Sequence, residues 1–398
     1  MPARMTTLEM LSRLVSFDTT SRNSNLGMIA FMEGWLAEAG IETARVPFGP
    51  EKANLVAVIG PRAPGGLVLS GHTDVVPVDG QDWSSDPFRL RVEAEEGRAY
   101  GRGTADMKGY LASALALAPE LAKMELKRPV ILAFSCDEEV GCTGVRPMID
   151  WIAGNLPPVE AVFVGEPTGM QVVTAHKGIE AMRTEVRGLP AHSSCTHLGV
   201  NAIMAAGEVI CEINRIAEEE KERAAPESGF TPPYTTVNIG LVRGGTAKNI
   251  IPQDCAIDWE TRLMPDAEFG RIPERVREFA RREVEPAMKA VAPEAGIVTE
   301  VVNSVPGLAE EEDSPATRLA MRFAGANGRH RVSYGTEAGL FQRAGMPAVI
   351  CGPGHIEQAH KPDEFVELAQ LDACDAFLRN LAEHAAREPA PQAGGKEP

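Results

Sequence analysis

The sequence predicts an α/β protein: a mainly parallel sheet covered by helices, interrupted by an inserted ferredoxin-like βαββαβ domain. Three observations predict it. Short, wholly apolar runs alternate with helix-like stretches up to residue 178. From residue 179 to 304 the strand-like stretches become alternating or β-branched and follow a β-α-β-β-α-β order. From residue 305 the first pattern resumes. Apolar runs bounded by turns suit strands buried on both faces, as in a parallel sheet. The boundaries are therefore 1–178 with 305–387 for the larger domain, 179–304 for the insert, and 388–398 as a tail.

Residues 27–39 (GMIAFMEGWLAEA) read as an amphipathic helix stopped by Gly40. Buried strands follow at Asn54–Gly60, Leu67–Ser70, Val130–Ser135 and Ala161–Gly165. A long Ala/Leu-rich helix at about Met107–Met124 lies between the second and third. In the insert, residues 179–188 (IEAMRTEVRG) read as a strand. Asn201–Arg223 reads as a helix with Ile203, Ala206, Ile210, Ile213 and Ile216 at helical spacing. Strands at Thr235–Val242 and Cys255–Leu263 come next, then a helix at Ile272–Met288 with Ile272, Val276, Phe279 and Val284 on one side, then Ile297–Val302. Glu218–Pro233, charged and then rich in Pro, Ser and Gly, is expected to be a surface loop. The last part offers helices at Pro315–Ala324, after Thr336 and at Leu368–His384, and a strand at Ala348–Cys351. The Pro/Gly/Lys-rich tail from Glu388 is expected to be disordered.

With 398 residues, 44% of them hydrophobic, the chain can bury one large core or two moderate ones. Lys and Arg total 39 against 56 Asp and Glu, a net charge of -17. Such a surface repels phosphate backbones and anionic membranes, so neither is expected as a partner. No apolar run approaches the ~18–20 residues that span a bilayer. The opening MPARMTTLEMLSRL lacks the apolar stretch of a secretory signal, and a cytoplasmic setting is expected. Seven cysteines without any C-x-x-C are expected as buried, reduced thiols rather than disulfides or a zinc ribbon.

The chemistry lies at strand ends. LVLSGHTDVVP places His72 and Asp74 just after a buried strand, and GRGTADMKG places Asp106 before the long helix. FSCDEEVG gives Asp137, Glu138 and Glu139, VFVGEPT gives Glu166, and GPGHIEQAHKPDE gives His355 and His360. The carboxyl ends of parallel strands open into one crevice, so these segments are predicted to converge. Singly, each has a plainer explanation: an Asp before a helix commonly caps it, and a run of acids is commonly a solvated loop. Together they crowd carboxylates into one cleft, which is strongly unfavourable unless cations compensate them. Two divalent ions bridged by an Asp would do so. Mixed imidazole and carboxylate donors suit zinc, with cobalt or manganese as substitutes, better than calcium or magnesium. For the last donor, His355 and His360 compete.

The segments GHTDVVP, GRGTADMKG, DEEVG, GEPT and AHKPDEF, in that order, resemble the M20 family of dinuclear zinc metallopeptidases and deacylases. The likeness spans about residues 7–385 and includes the insert, which serves that family for dimerisation and as a lid. The resemblance implies a homodimer in which His72 and Glu166 hold one zinc, Glu139 and His360 the other, and Asp106 bridges them. It makes His360 the ligand, because the family motif places one directly before the Lys-Pro-Asp-Glu run. Asp74 would accept the second N–H of the His72 imidazole and fix its tautomer. Glu138 would be the general base. In the insert, His192 (GLPAHSSCTHLGVNA) would reach the partner's site and stabilise the oxyanion. Asn249 (GGTAKNIIP) and Arg262 (WETR) would bind the substrate's α-carboxylate. Outside the family these would read as a surface histidine and an exposed strand arginine.

Within the family, LVSFDTTSRNSN, AHKG, YGTEAGLFQ and GPGHIEQAHKPDEF most resemble the acetylornithine deacetylase branch. That implies a small-molecule N-acyl amino acid substrate, N2-acetyl-L-ornithine, hydrolysed to L-ornithine and acetate in arginine biosynthesis. Glu337 stands where the related desuccinylases carry a Ser-Asp-Gly-Arg pattern; an acid there suits a cationic side chain, or caps the helix that follows. The alternatives are an N-succinyl-diaminopimelate desuccinylase, a broader N-acyl-amino-acid deacylase, a di- or aminopeptidase, and a metal-free binding protein. No G-x-S-x-G elbow and no Walker A sequence are present, so acyl-serine and nucleotide chemistry have no footing.

Overall fold

The computed structural model describes residues 5–387, so the tail from Glu388 lies outside the described residues. The chain divides into two units. The first comprises the described residues up to Ala175, Glu310–His330, and those from Thr336 onward; the second is His176–Ala309 with Arg331–Gly335.

The first unit opens with helices α1 (Thr7–Val15) and α2 (Leu26–Glu38), then strands β1 (Thr43–Pro47), β2 (Ala53–Ile59) and β3 (Gly66–His72). Short strands β4 (Arg91–Glu93) and β5 (Arg98–Tyr100) lead to an irregular turn at Thr104–Lys108 and helix α3 (Gly109–Leu121). Next come β6 (Val130–Ser135), α4 (Val145–Asn155), β7 (Val159–Val164) and β8 (Val173–His176). The second unit holds β9 (Gly178–Arg187), α5 (Ala202–Glu222), β10 (Thr236–Gly244), β11 (Asp254–Leu263), α6 (Arg271–Phe279), α7 (Glu285–Val291) and β12 (Gly296–Val305). The chain then continues through α8 (Pro315–Ala324), β13 (His330–Val332), α9 (Ala338–Arg343), β14 (Ala348–Ile350), β15 (Phe365–Glu367) and α10 (Leu368–Arg387).

The large sheet has eight strands in the order β1-β2-β6-β3-β7-β14-β8-β13. Its centre, β6-β3-β7-β14, is parallel, and the flanking pairs β1/β2, β2/β6 and β14/β8 are antiparallel. The four central strands therefore end on the same edge. β3 is buried along its whole length. Leu67 and Leu69 face a core shared with Met10, Leu14, Leu111, Leu115, Phe163 and Phe377. Val68 points the other way and is equally buried, on the side where α4 packs on β6 and α9 on β7. Burial on both faces is why these strands are continuous apolar runs, each large side chain contributing about 1.5–3 kcal/mol. Helix α1 starts with a reciprocal cap, in which the Thr6 and Glu9 side chains each accept the other residue's backbone N–H.

The second unit is a four-stranded antiparallel sheet, β10-β11-β9-β12, in the βαββαβ order. β9 alternates, with Met182, Thr184 and Val186 buried and Arg183, Glu185 and Arg187 exposed. α5 covers the buried face through Ala202, Ala205, Ala206, Val209, Ile213 and Ile216. Small residues carry its first turns, so the helix lies close to the sheet, and Ile203, expected in the stripe, is exposed. α5 runs on to Glu222, so the expected loop begins later than Glu218: Glu220 is buried and paired with Arg223 and Arg271. The single helix expected at Ile272–Met288 is divided into α6 and α7 by a wide turn at Ala280–Val284. All seven cysteines are free; five are buried, Cys195 is half-buried and Cys211 exposed. Among the described residues, no helix is long and apolar enough to cross a membrane.

Candidate metal centre

Each acidic or imidazole group enters the cluster from a strand end or a turn. His72 is the last residue of β3, and Glu166 lies two residues past β7. Between β7 and Glu166, Gly165 passes under Tyr110: a Cβ there would stand 2.0 Å from the ring, so only glycine allows this path. Asp106 sits in the turn before α3, at a cis peptide bond to Met107. His360 lies in the loop after β14 with φ +64°, in the left-handed region that non-glycine residues rarely occupy.

Two groups of donors result. His72 Nε2 is 3.0 Å from Asp106 Oδ1 and 3.9 Å from Glu166 Oε1. His360 Nε2 is 3.2 Å from Asp106 Oδ2 and 3.1 Å from Glu139 Oε2. Asp106 thus offers one oxygen to each group, and within each trio the donor atoms lie within 4.8 Å of one another, close enough to hold an ion. His72, Asp74, Asp106 and Glu166 are 1%, 2%, 6% and 5% exposed. Glu139 Oε1 and Glu166 Oε1 are buried without a hydrogen-bond partner, which is what a cation-binding oxygen looks like before it is filled. The donor set fits a divalent metal.

The protonation pattern tells the same story. Burial, followed by repulsion from Glu139, Asp106 and Asp74, pushes Glu138 up to about 8 against the pull of His72. Burial and the Asp106 charge raise Glu139 and Glu166. Burial works against Asp106 too, yet its bonds to His360 and His72 hold it well below the carboxylate range. Hydrogen bonds to Asp106 and Glu139 lift His360 to about 10. For His72 burial pulls down, but the Asp106 bond and the charges of Glu166, Asp106 and Glu138 outweigh it.

Asp74 departs from its expected contact. His72 Nδ1 lies 2.8 Å from the Asp74 backbone carbonyl, while the nearer carboxylate oxygen is 3.7 Å away. A carbonyl only accepts, so Nδ1 carries a proton and the tautomer is set by Asp74's main chain. The carboxylate is drawn instead to donors on the neighbouring loop: Glu138 N (3.1 Å), Glu139 N (3.3 Å) and Ser21 Oγ (2.8 Å). Asp137 turns away to Lys52 Nζ at 2.5 Å. Sequence reading missed Cys142, whose thiol lies 3.2 Å from Glu138 Oε1; the four-residue offset within one tight loop was the available signal.

Glu337 is completely buried and accepts from Ser70 Oγ (2.6 Å) and Ser135 Oγ (2.8 Å), making no cap bond to α9. Each oxygen is thus engaged by one serine hydroxyl. His355 belongs to neither donor group; its ring packs over Gly169, in the loop after Glu166. In the second unit, His192 is exposed, with Nδ1 2.8 Å from Ser194 Oγ. It bridges to Ile250, and the Asn249 carbonyl accepts from Ser193 N at 3.1 Å, so His192 and Asn249 sit on adjacent loops. Arg262, bonded to Glu260 at 3.1 Å, is near the other end of β11. It lies eight positions along the strand from Asp254 at the His192 end, on the order of 25 Å.

Comparison with known proteins follows this geometry. The description "Peptidase family M20/M25/M40" matches residues 68–384. A protein of Myxococcus xanthus named acetylornithine deacetylase is 37% identical over 386 residues, covering 94% of this chain and 96% of that one. A protein of the same name from Photorhabdus laumondii is 32% identical over 369 residues, 92% of each. Among solved structures, an M20 family metallo-carboxypeptidase of Sulfolobus solfataricus is similar with a TM-score of 0.72 at 19% identity, over 96% of this chain and 99% of that one. At that identity it shows the fold alone. The chain is thus a metal-dependent amidohydrolase, and it belongs to the peptidase family M20/M25/M40.

Proposed function

We propose that this protein hydrolyses the amide bond of an N-acyl amino acid, with N2-acetyl-L-ornithine as the substrate, in arginine biosynthesis, and that it works with two zinc ions. The observation that carries the reading is the pair of donor groups sharing Asp106. The names of the relatives at 37% and 32% identity support the substrate. In this reading His72 and Glu166 would hold one ion, Glu139 and His360 the other, and Asp106 would serve both. Donor separations of 3.0–3.9 Å leave each group compact enough to hold a zinc ion. When bound, two such ions polarise the scissile carbonyl and make water more acidic.

The chain's own residues do the rest. Glu138 takes a proton from the attacking water and passes it to the departing α-amine. The residue is half-buried, and its carboxylate is aimed by the Cys142 thiol and by the Asp74 bonds that fix the loop beneath it. Asp74 holds Glu138, Glu139 and, through its carbonyl, His72 in one arrangement. His192 donates to the oxyanion in the site of a second copy, Asn249 travels with it, and Arg262 grips the α-carboxylate. Glu337, held by two serines, is given no substrate contact.

Four measurements test this. Metal-stripped protein should take up about two zinc ions per chain and gain about 2.7 kcal/mol of stability for each ion at a hundredfold excess over its Kd. Uptake should release protons, because His360 at about 10 is protonated in the stripped protein and must be neutral to bind; binding therefore tightens as pH rises. An unchanged melting temperature would remove the metal reading. Glu138→Gln should keep both ions and lose roughly 10²–10⁴-fold in kcat; near-full activity would unseat it as the base. In a panel of N-acetylornithine, N-acetylmethionine and N-succinyl-diaminopimelate, the first should have the highest kcat/KM, and preference for the succinyl compound would overturn the substrate. His192→Ala should lose about 10²–10³-fold in kcat with zinc retained. Mixing it with Glu138→Gln should restore activity if the two residues act on one site from different copies, and no recovery would reject that arrangement.

A further inference from the structure

One buried acid that the proposed reaction does not use organises the turn carrying Asp106. Glu364 is 1% exposed and lies four positions beyond His360. Its Oε1 accepts the backbone N–H groups of Ala105 (2.9 Å) and Asp106 (3.1 Å). Its Oε2 accepts the N–H of Gly103 (2.9 Å) and Nη1 of Arg102 (2.8 Å). A single carboxylate thus gathers three main-chain donors of one turn, and a guanidinium balances its charge. Arg102 is equally buried; its guanidinium lies over Trp83, 5.0 Å from the ring centre, and its Nη2 donates to Gln81 Oε1. Gln81 Nε2 then donates to the backbone carbonyl of His360 at 2.8 Å. That bond holds main chain at a left-handed φ, where His360 would not rest unaided.

The network therefore fixes the main chain at both Asp106 and His360, and none of its bonds ends on His72, Glu139 or Glu166. Two of the three donors in the Asp106–Glu139–His360 group depend on it, against one of three in the His72–Asp106–Glu166 group. We propose that Glu364, acting through Arg102 and Gln81, is a positioning residue that governs occupancy of the metal position formed by Asp106, Glu139 and His360. The inference rests on the metal-centre reading above. It differs from general stabilisation because it weakens the Asp106–Glu139–His360 position more than the His72–Asp106–Glu166 position, which shares only Asp106 with the network.

The test is zinc binding by stripped, full-length protein, followed by calorimetry and by metal analysis after dialysis. In Glu364→Gln the amide NH2 would face main-chain N–H groups. One zinc per chain should lose little affinity, and the second should bind about 10–100-fold more weakly. kcat should fall and recover as zinc is raised, with KM unchanged. Gln81→Ala cuts only the His360 branch, so it should weaken the same position by less, and it serves as the probe if Glu364→Gln does not fold. Two ions bound with unaltered affinities in both variants would overturn the positioning role alone. Equal weakening of both positions, with a lower melting temperature of the stripped protein, would overturn it in favour of a structural role. A failure of the unsubstituted protein to bind zinc would overturn it together with the metal-centre reading.

Discussion

The mutual repulsion of carboxylates held out of water is the constraint around which the first unit is built. Asp74, Asp106 and Glu166 are nearly inaccessible, and Glu138 and Glu139 stand beside them. Two like charges 4 Å apart cost about 4 kcal/mol at the effective dielectric of a protein site. The two histidines among them cannot neutralise five acids, and Glu138 is pushed up to about 8 by burial and then by the neighbouring acids. No gain in packing calls for such a concentration of charge. The sheet makes it possible by ending β6, β3, β7 and β14 on one edge, and glycine at 165 lets β7 deliver Glu166 beneath Tyr110. A divalent cation bound among them would turn the same repulsion into attraction.

Hydrogen-bond supply separates the acids by task. Asp74 and Glu364 each collect several main-chain donors, and Glu337 collects two serine hydroxyls. A carboxylate so satisfied has little left to offer an ion, and it fixes the loops that it joins. Glu139 and Glu166 each keep a buried oxygen with no donor. Burying an unpaired oxygen is expensive, and at these two places, inside the donor groups, a cation would offset that cost. By this criterion Glu337, whose position suggested a substrate contact, belongs with the supports.

The sequence made the strand-end motifs legible because side chains at the carboxyl ends of parallel strands share one edge whatever the helices between them do. Other features are invisible at that level. A two-residue offset between His72 and Asp74 suggests a contact but does not say whether the carboxylate or the carbonyl of Asp74 makes it; the pull of the Glu138 and Glu139 N–H groups decides that. Helix α4 escaped because VRPMIDWIAGN carries Pro147 and Gly154, both poor helix formers, and is secured by packing. Strand β1 (TARVP) is short and ends in proline, as an edge strand can. In α5 the helical period and most of its phase were legible, since Ala206, Ile213 and Ile216 are buried as expected; Ile203 looks like core but is exposed, and Ala202 and Ala205 take that face.

The insert raises a question of reach that bears on how many chains make one site. His192 and Asn249 share the end of the small sheet where β11 begins, and Arg262 lies on the order of 25 Å away along that strand. A substrate α-carboxylate spans only a few ångströms, and extended arginine and asparagine side chains together add about 10 Å, far short of the gap. If all three residues serve the same small molecule, one copy cannot supply them. Arg262 must come from one chain, and His192 with Asn249 from another. Dimerisation would then be a condition of catalysis, and a chain folded alone would hold its metal ligands and its general base yet lack the donor for the oxyanion.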